Sequence, residues 1–285
     1  MNEKAPDNGL RERIQSLPEA RGSVVRLIVI PFLIFIVWVL ETFLLEGSLV
    51  VFLHYQPGLL VMYTLITTIF IGIFAPVLFL RSAFLSGAVN MYQVGFRSFR
   101  RTVLTTGVTA CLGFLILATL PPFSSDRNLM IGSLLLMLPT AVSSVMVCWV
   151  LVGTHLQAYV RNRGPSVSIL TGVLVTGVVF GLSFLAHSPP LNSPPLVLTG
   201  IITGMASAIF FFSVRDVCSA AAFVAFSLAW IMGSHPDPLY QSPVSPLLVF
   251  TALLSVFALA GSQWYLSRHF ITVRIPVRSP EQRRT

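Results

Sequence analysis

The sequence predicts an all-α, polytopic membrane protein: a bundle of eight transmembrane helices with a cytoplasmic interfacial amphipathic helix. Three observations carry that expectation. Only 10% of the 285 residues are charged and 55% are hydrophobic, where a soluble domain carries about a quarter charged residues. Apolar runs long enough to cross a bilayer recur at 24–45, 58–80, 102–122, 129–153, 166–187, 195–213, 217–233 and 244–267. With these runs as spans, every one of the 18 Lys and Arg residues except Arg127 falls in the termini, in the even-numbered connections or, for Arg26, in the first turn of span one on the same side. Short cytoplasmic loops retain basic residues, so both termini are expected in the cytoplasm and the protein in the cell membrane.

The chain then divides into a cytoplasmic tail (1–22), an eight-helix transmembrane domain (23–268) and a second cytoplasmic tail (269–285). The first apolar run is too long for a signal-peptide core and lacks a small-residue cleavage pattern, which marks it as a retained anchor. A net charge of +8 would suit nucleic acid if it were clustered. Here it is spread along one membrane rim, where anionic headgroups attract it, so the lipid bilayer is the expected partner and nucleic acid is not. Cys111, Cys148 and Cys218 lie in or at the ends of spans three, four and seven and form no C-x-x-C pair. No disulfide framework is expected.

Taken in order, span one ends with Glu41 inside it and Glu46 at its exit. Span two carries Tyr63, Thr64, Thr67 and Thr68, and span four carries Ser143 and Ser144. Such hydroxyls bond preceding carbonyls or a neighbouring helix, or line a wet path. Pro76 and Pro139 interrupt the same two spans, each removing a backbone hydrogen bond and predicting a kink. The connection 81–101 alternates polar residues with Leu85, Val89, Tyr92, Phe96 and Phe99 at steps of three or four. That spacing predicts a helix in the headgroup plane with Arg97, Arg100 and Arg101 on its membrane-surface basic face. Spans five and six carry Gly177-x-x-x-Gly181 and Gly200-x-x-x-Gly204, small residues that let two helix backbones approach closely. Arg215-Asp216 forms the whole connection between spans six and seven, as a local ion pair or a solvated pair. The proline-rich outer connections 187–195 and 235–246 are expected to be stiff.

Charge inside a bilayer is costly, so ionisable residues near spans are the functional candidates. The outer edges collect Glu41, Glu46, His54, Asp126, His187, His235 and Asp237. Imidazoles and carboxylates on one face could hold a divalent metal or relay protons. The spacing carries no metal signature, and scattered loop residues are the simpler account. Glu41 and His187 stand out within the set because each adjoins a strongly apolar helix. No nucleotide, haem or nucleophile motif is present, and no cofactor is expected.

Between Thr154 and about Gly233 the chain resembles the CPBP (CAAX-processing-type) intramembrane metalloproteases, whose members carry E-E-x-x-x-R, then F-x-x-x-H, then a helix with a further His and Asn. Leu156-Gln157-Ala-Tyr-Val-Arg161 occupies the first motif with only the arginine kept, and Phe180-Gly-Leu-Ser-Phe184 occupies the second with Phe in the histidine position. The resemblance implies at most a catalytically degenerate relative, since both glutamates are missing. The sequence therefore points first to a non-enzymatic membrane component, an accessory subunit or scaffold with a protein partner or a second copy of itself. A small-solute or ion permease is the alternative.

Overall fold

The computed structural model describes residues 24–47, 57–85, 88–121, 123, 126–187, 191–233 and 244–270. The first tail, the second tail beyond residue 270, His54, and the stretch holding His235 and Asp237 lie outside the described residues. Among the described residues eight apolar helices follow one another: α1 (Val25–Glu46), α2 (Gly58–Leu85), α3 (Phe99–Thr119), α4 (Arg127–Tyr159), α5 (Pro165–Ala186), α6 (Pro194–Val214), α7 (Val217–Gly233) and α8 (Pro246–Phe270). Seven are long and apolar enough to cross a membrane, and α7 is shorter, with 17 residues. No strand occurs among the described residues. The fold is all-α and polytopic.

Local chemistry sets the helix ends. The Asp126 carboxylate caps α4 by accepting the amides of Asn128 and Leu129 at 2.9 and 3.1 Å. Pro165 and Pro194 open α5 and α6, where a missing N–H leaves no bond unmade. At 1.5 Å per residue α7 is about 25 Å long, near the lower limit for a bilayer crossing. It packs against α3, α4 and α6 and buries Ser219, Ala220, Ala221, Ala225 and Ala229. Those short side chains let its neighbours approach closely.

α4 is the axis of the bundle. Of its most apolar window 72% is buried, against 11% for α3 at the periphery. None of residues 141–152 is more than 1% exposed. The Trp149 ring packs on Phe180 with centroids 5.0 Å apart. α1, α2, α5, α7 and α8 all contact α4, and α6 is carried mainly on α5. The two proline interruptions are absorbed by local changes of helix winding. α2 is π-helical over Thr64–Phe74, just before Pro76, and α4 becomes π-helical over Val145–Gly153, beyond Pro139.

The interfacial helix expected over 81–101 does not form. α2 ends at Leu85, α3 starts at Phe99, and residues 88–98 make a turn that folds inward. Val89, Val94 and Phe96 are buried, while Leu85, Tyr92 and Phe99 are exposed, so the supposed apolar stripe is split between two environments. Asn90 and Gln93 close the turn: each side-chain oxygen accepts the other residue's amide at 2.9 Å. Such local bonds compete with helix. Gly95, at φ +85°, then lets the chain pass Phe211, whose ring would lie 2.9 Å from any Cβ there.

α5 and α6 meet along their glycines. A Cβ on Gly181 would lie 2.6 Å from the Ile201 amide nitrogen, and one on Gly204 would lie 2.9 Å from the Gly177 carbonyl oxygen. A Cβ on Gly200 would lie 3.2 Å from the Gly181 Cα. Gly107 of α3, by contrast, faces open space. Gly181→Ala is expected to cost about 1–3 kcal/mol through overpacking, read as reduced unfolding stability in detergent. Gly107→Ala should be neutral or slightly stabilising, because alanine is the better helix former.

Candidate functional site

One ion pair joins described residues, and it closes the end of the bundle opposite the arginine-rich face. His187 follows the last turn of α5, and its Nδ1 lies 2.8 Å from Oε2 of Glu46 at the end of α1. Their side chains are 8% and 15% exposed, so the pair is largely removed from solvent. Tyr63 of α2 is within side-chain hydrogen-bonding reach of Glu46, Thr42 and Thr140. Beside the pair is a cavity of about 40 Å³ lined by Glu46, Thr140, Ser144, Ser183 and His187 among apolar neighbours. That volume and those polar walls suit one ordered water. Burial pulls the His187 pKa down, and the charge and hydrogen bond of Glu46 outweigh it, leaving the imidazole above its ordinary value.

His187 therefore has a carboxylate partner, and the partner is Glu46. Of the two residues that stand out in the sequence, His187 is thus paired, and Glu41 is not its partner. Glu41, half-buried on the same helix, makes no side-chain hydrogen bond or ion pair among the described residues. Asp126 is engaged as a helix cap. Among the described residues no group of three His, Cys, Asp or Glu side chains is placed to hold a metal ion.

The hydroxyls of spans two and four mostly turn back on their own helices. Thr64 donates to the Leu60 carbonyl at 2.9 Å, and Ser143 and Ser144 both donate to the Thr140 carbonyl at 3.0 and 2.7 Å. Thr67 and Thr68 differ, their buried hydroxyls having no partner among the described residues. His155 of α4 is fully enclosed, its Nδ1 2.7 Å from the Leu151 carbonyl oxygen.

A second, larger polar assembly sits at the other end of the bundle around Arg215 and Asp216. The two neither pair with each other nor simply meet water, as a reading of the connection alone suggests. Arg215 adopts φ +53° and donates from Nη1 to the Gln93 carbonyl at 2.6 Å and from Nη2 to Gln157 Oε1 at 2.7 Å. Its own carbonyl accepts Nε of Arg97 at 2.8 Å. Asp216 is fully buried and accepts the Thr102 hydroxyl at 2.7 Å and the Ser219 amide at 2.9 Å, the latter capping α7. Gln263 of α8 donates to the Thr102 hydroxyl and to the Arg97 carbonyl at 3.1 and 3.0 Å. The Val217 amide bonds the Gly95 carbonyl at 3.1 Å, fastening the inward turn. Arg97 is thus tied to the protein, whereas Arg100 and Arg101 are exposed. Burial and the neighbouring Arg97 lower the Arg215 pKa to about 10. It stays charged at neutral pH.

The positions that the metalloprotease resemblance would assign to chemistry are far apart. Gln157 lies against Gly172 near the start of α5, while Phe184 and His187 lie at its other end. Comparison with protein-family models, with curated proteins and with solved structures finds no match. What fold and site define is a class, an all-α multi-pass membrane protein with one buried His–Glu pair among its described residues and a polar clasp at the opposite end.

The raised pKa of His187 fixes the sign of a pH dependence. The imidazole gains protons on folding, so the pair's stabilisation is fully present below the ordinary histidine value of about 6.5 and is lost as pH rises through the raised one. The groups facing it are Glu46 from α1 and, through Glu46, Tyr63 from α2. Thermal unfolding in detergent should show the wild-type protein losing stability over that alkaline window. His187→Gln should remove this part of the slope.

Proposed function

We propose that this protein is a non-enzymatic component of the cell membrane, a scaffold or accessory subunit that crosses the bilayer eight times with both termini in the cytoplasm. The observation that supports it most is the filled axis: residues 141–152 of α4 are enclosed by side chains from five neighbouring helices. A permease needs a polar cavity near the bilayer midplane. The cavity beside His187 has room for a water, not for a solute. The lopsided arginine distribution supports the orientation. α3 supports a protein partner or a second copy, because this helix presents Leu104, Val108 and Leu115 outward. The alternative, a small-solute or ion permease, rests on the unpartnered hydroxyls of Thr67 and Thr68.

Cys111 is exposed on α3 and offers a native attachment point for a photocrosslinker. Crosslinking in membranes should give a protein adduct of one definite mass. Lipid adducts alone would count against the scaffold reading. In reconstituted vesicles, solute and ion flux should equal that of empty vesicles, and a saturable flux abolished by Thr67→Val with Thr68→Val would select the permease.

A further inference from the structure

The corner where α3 begins carries more positive charge than its own residues neutralise. Arg97 lies over the Tyr92 ring, 4.7 Å from its centroid, and is anchored through Nε to the Arg215 carbonyl. That leaves its two Nη groups with no hydrogen bond among the described residues. Arg101 stands exposed on the first turn of α3, close enough to Arg97 for the two guanidinium charges to repel, and Arg97 repels Arg215 in turn. Asp216 is the carboxylate that acts on Arg97, and both of its oxygens are committed to Thr102 and Ser219. Among the described residues, Arg97, Arg101 and Arg215 thus gather at one corner with a single, already committed carboxylate beside Arg97, and guanidinium forks match phosphate oxygens.

Below this corner an apolar groove of about 450 Å³ opens between α3, α6 and α7, lined among others by Leu112, Gly113, Ile116, Phe210, Phe226 and Trp230. Its polar lining residues, Thr109 and Ser227, donate to carbonyls of their own helices, so the groove presents an apolar wall. Phe210 and Phe223, stacked with centroids 4.8 Å apart, form its upper end. They lie one to two helical turns from Arg215–Asp216, a drop of about 8–11 Å.

We propose that this corner and groove together bind one anionic phospholipid, its phosphate held by Arg97 and Arg101 in front of Arg215 and an acyl chain lying between α3, α6 and α7. The headgroup supplies the missing negative charge, and the chain fills a groove whose volume falls within the range of ligand pockets. The site is independent of any protein partner and would be occupied in a scaffold or a permease alike.

Native mass spectrometry of the detergent-purified protein tests this, with phosphatidylglycerol and phosphatidylcholine of identical chains titrated separately and inorganic phosphate as a third arm. Phosphatidylglycerol should be retained preferentially. Arg101→Gln, which breaks no described hydrogen bond, should weaken its retention roughly fivefold, and Arg97→Gln with Arg101→Gln should weaken it further. Arg161→Gln with Arg163→Gln, removing two exposed arginines elsewhere on the same face, should leave it unchanged. Ser227→Trp, which fills the groove, should weaken long-chain phosphatidylglycerol and leave a short-chain analogue unaffected. Three outcomes overturn the proposal: equal retention of the two lipids, equal loss in the Arg161/Arg163 variant, or inorganic phosphate displacing the lipid at matched concentration.

Discussion

Two residues, Arg215 and Asp216, gather most of one end of the bundle, and the arrangement depends on the rule that buried polar groups in an apolar medium must be satisfied from within. An arginine in the left-handed region costs about 1–2 kcal/mol relative to helical backbone. The turn is offset by what it makes possible: Arg215 reaches the 88–98 segment and α4, while Asp216 ties α3 to the start of α7. Gln263 brings in α8, and the Ser168 hydroxyl on the Gln157 carbonyl brings in α5. Where lipid supplies no hydrophobic drive between helices, such bonds and close van der Waals contact are what hold a bundle together.

The two ends of the molecule use polarity differently. Arg215 donates to neutral oxygens, the Gln93 carbonyl and the Gln157 amide, and keeps its charge at neutral pH. At the other end the join between α1 and the end of α5 relies on a histidine, and its strength varies with pH. Between them α4 is packed with Val145, Met146, Val147, Trp149 and Val150, side chains with no charge to change. A filled, largely apolar middle with polar fastenings at both ends is the physical basis for preferring a scaffold to a conduit.

The helices were legible because length and hydropathy alone mark an apolar run that must sit in lipid, and even the short α7 stands out by its composition. The glycine seam of α5 and α6 is a local spacing pattern and was readable too, whereas Asp126 stood in the sequence only among the outer-edge carboxylates and its role as a cap emerges with the start of α4. The connection 88–98 was misread because polar residues at helical spacing mimic an amphipathic helix. Asn90 and Gly95 were the available signals against it, a helix competitor and a residue suited to positive φ. Glu46 rather than Glu41 meets His187 because the answer depends on how α1 docks on α5, and no local pattern encodes that. The long-range partners of Arg215 and Asp216 come from the 88–98 segment, α3 and α4, too far along the chain for spacing to reveal them.

The account rests on the Asp216 fastening being energetic as well as geometric. A double-mutant cycle between Thr102→Val and Asp216→Asn, with unfolding followed in lipid nanodiscs, measures this directly. The predicted coupling is about 1–2 kcal/mol, as for a buried interhelical hydrogen bond to a carboxylate. Strict additivity, with each single change costing little, would contradict it.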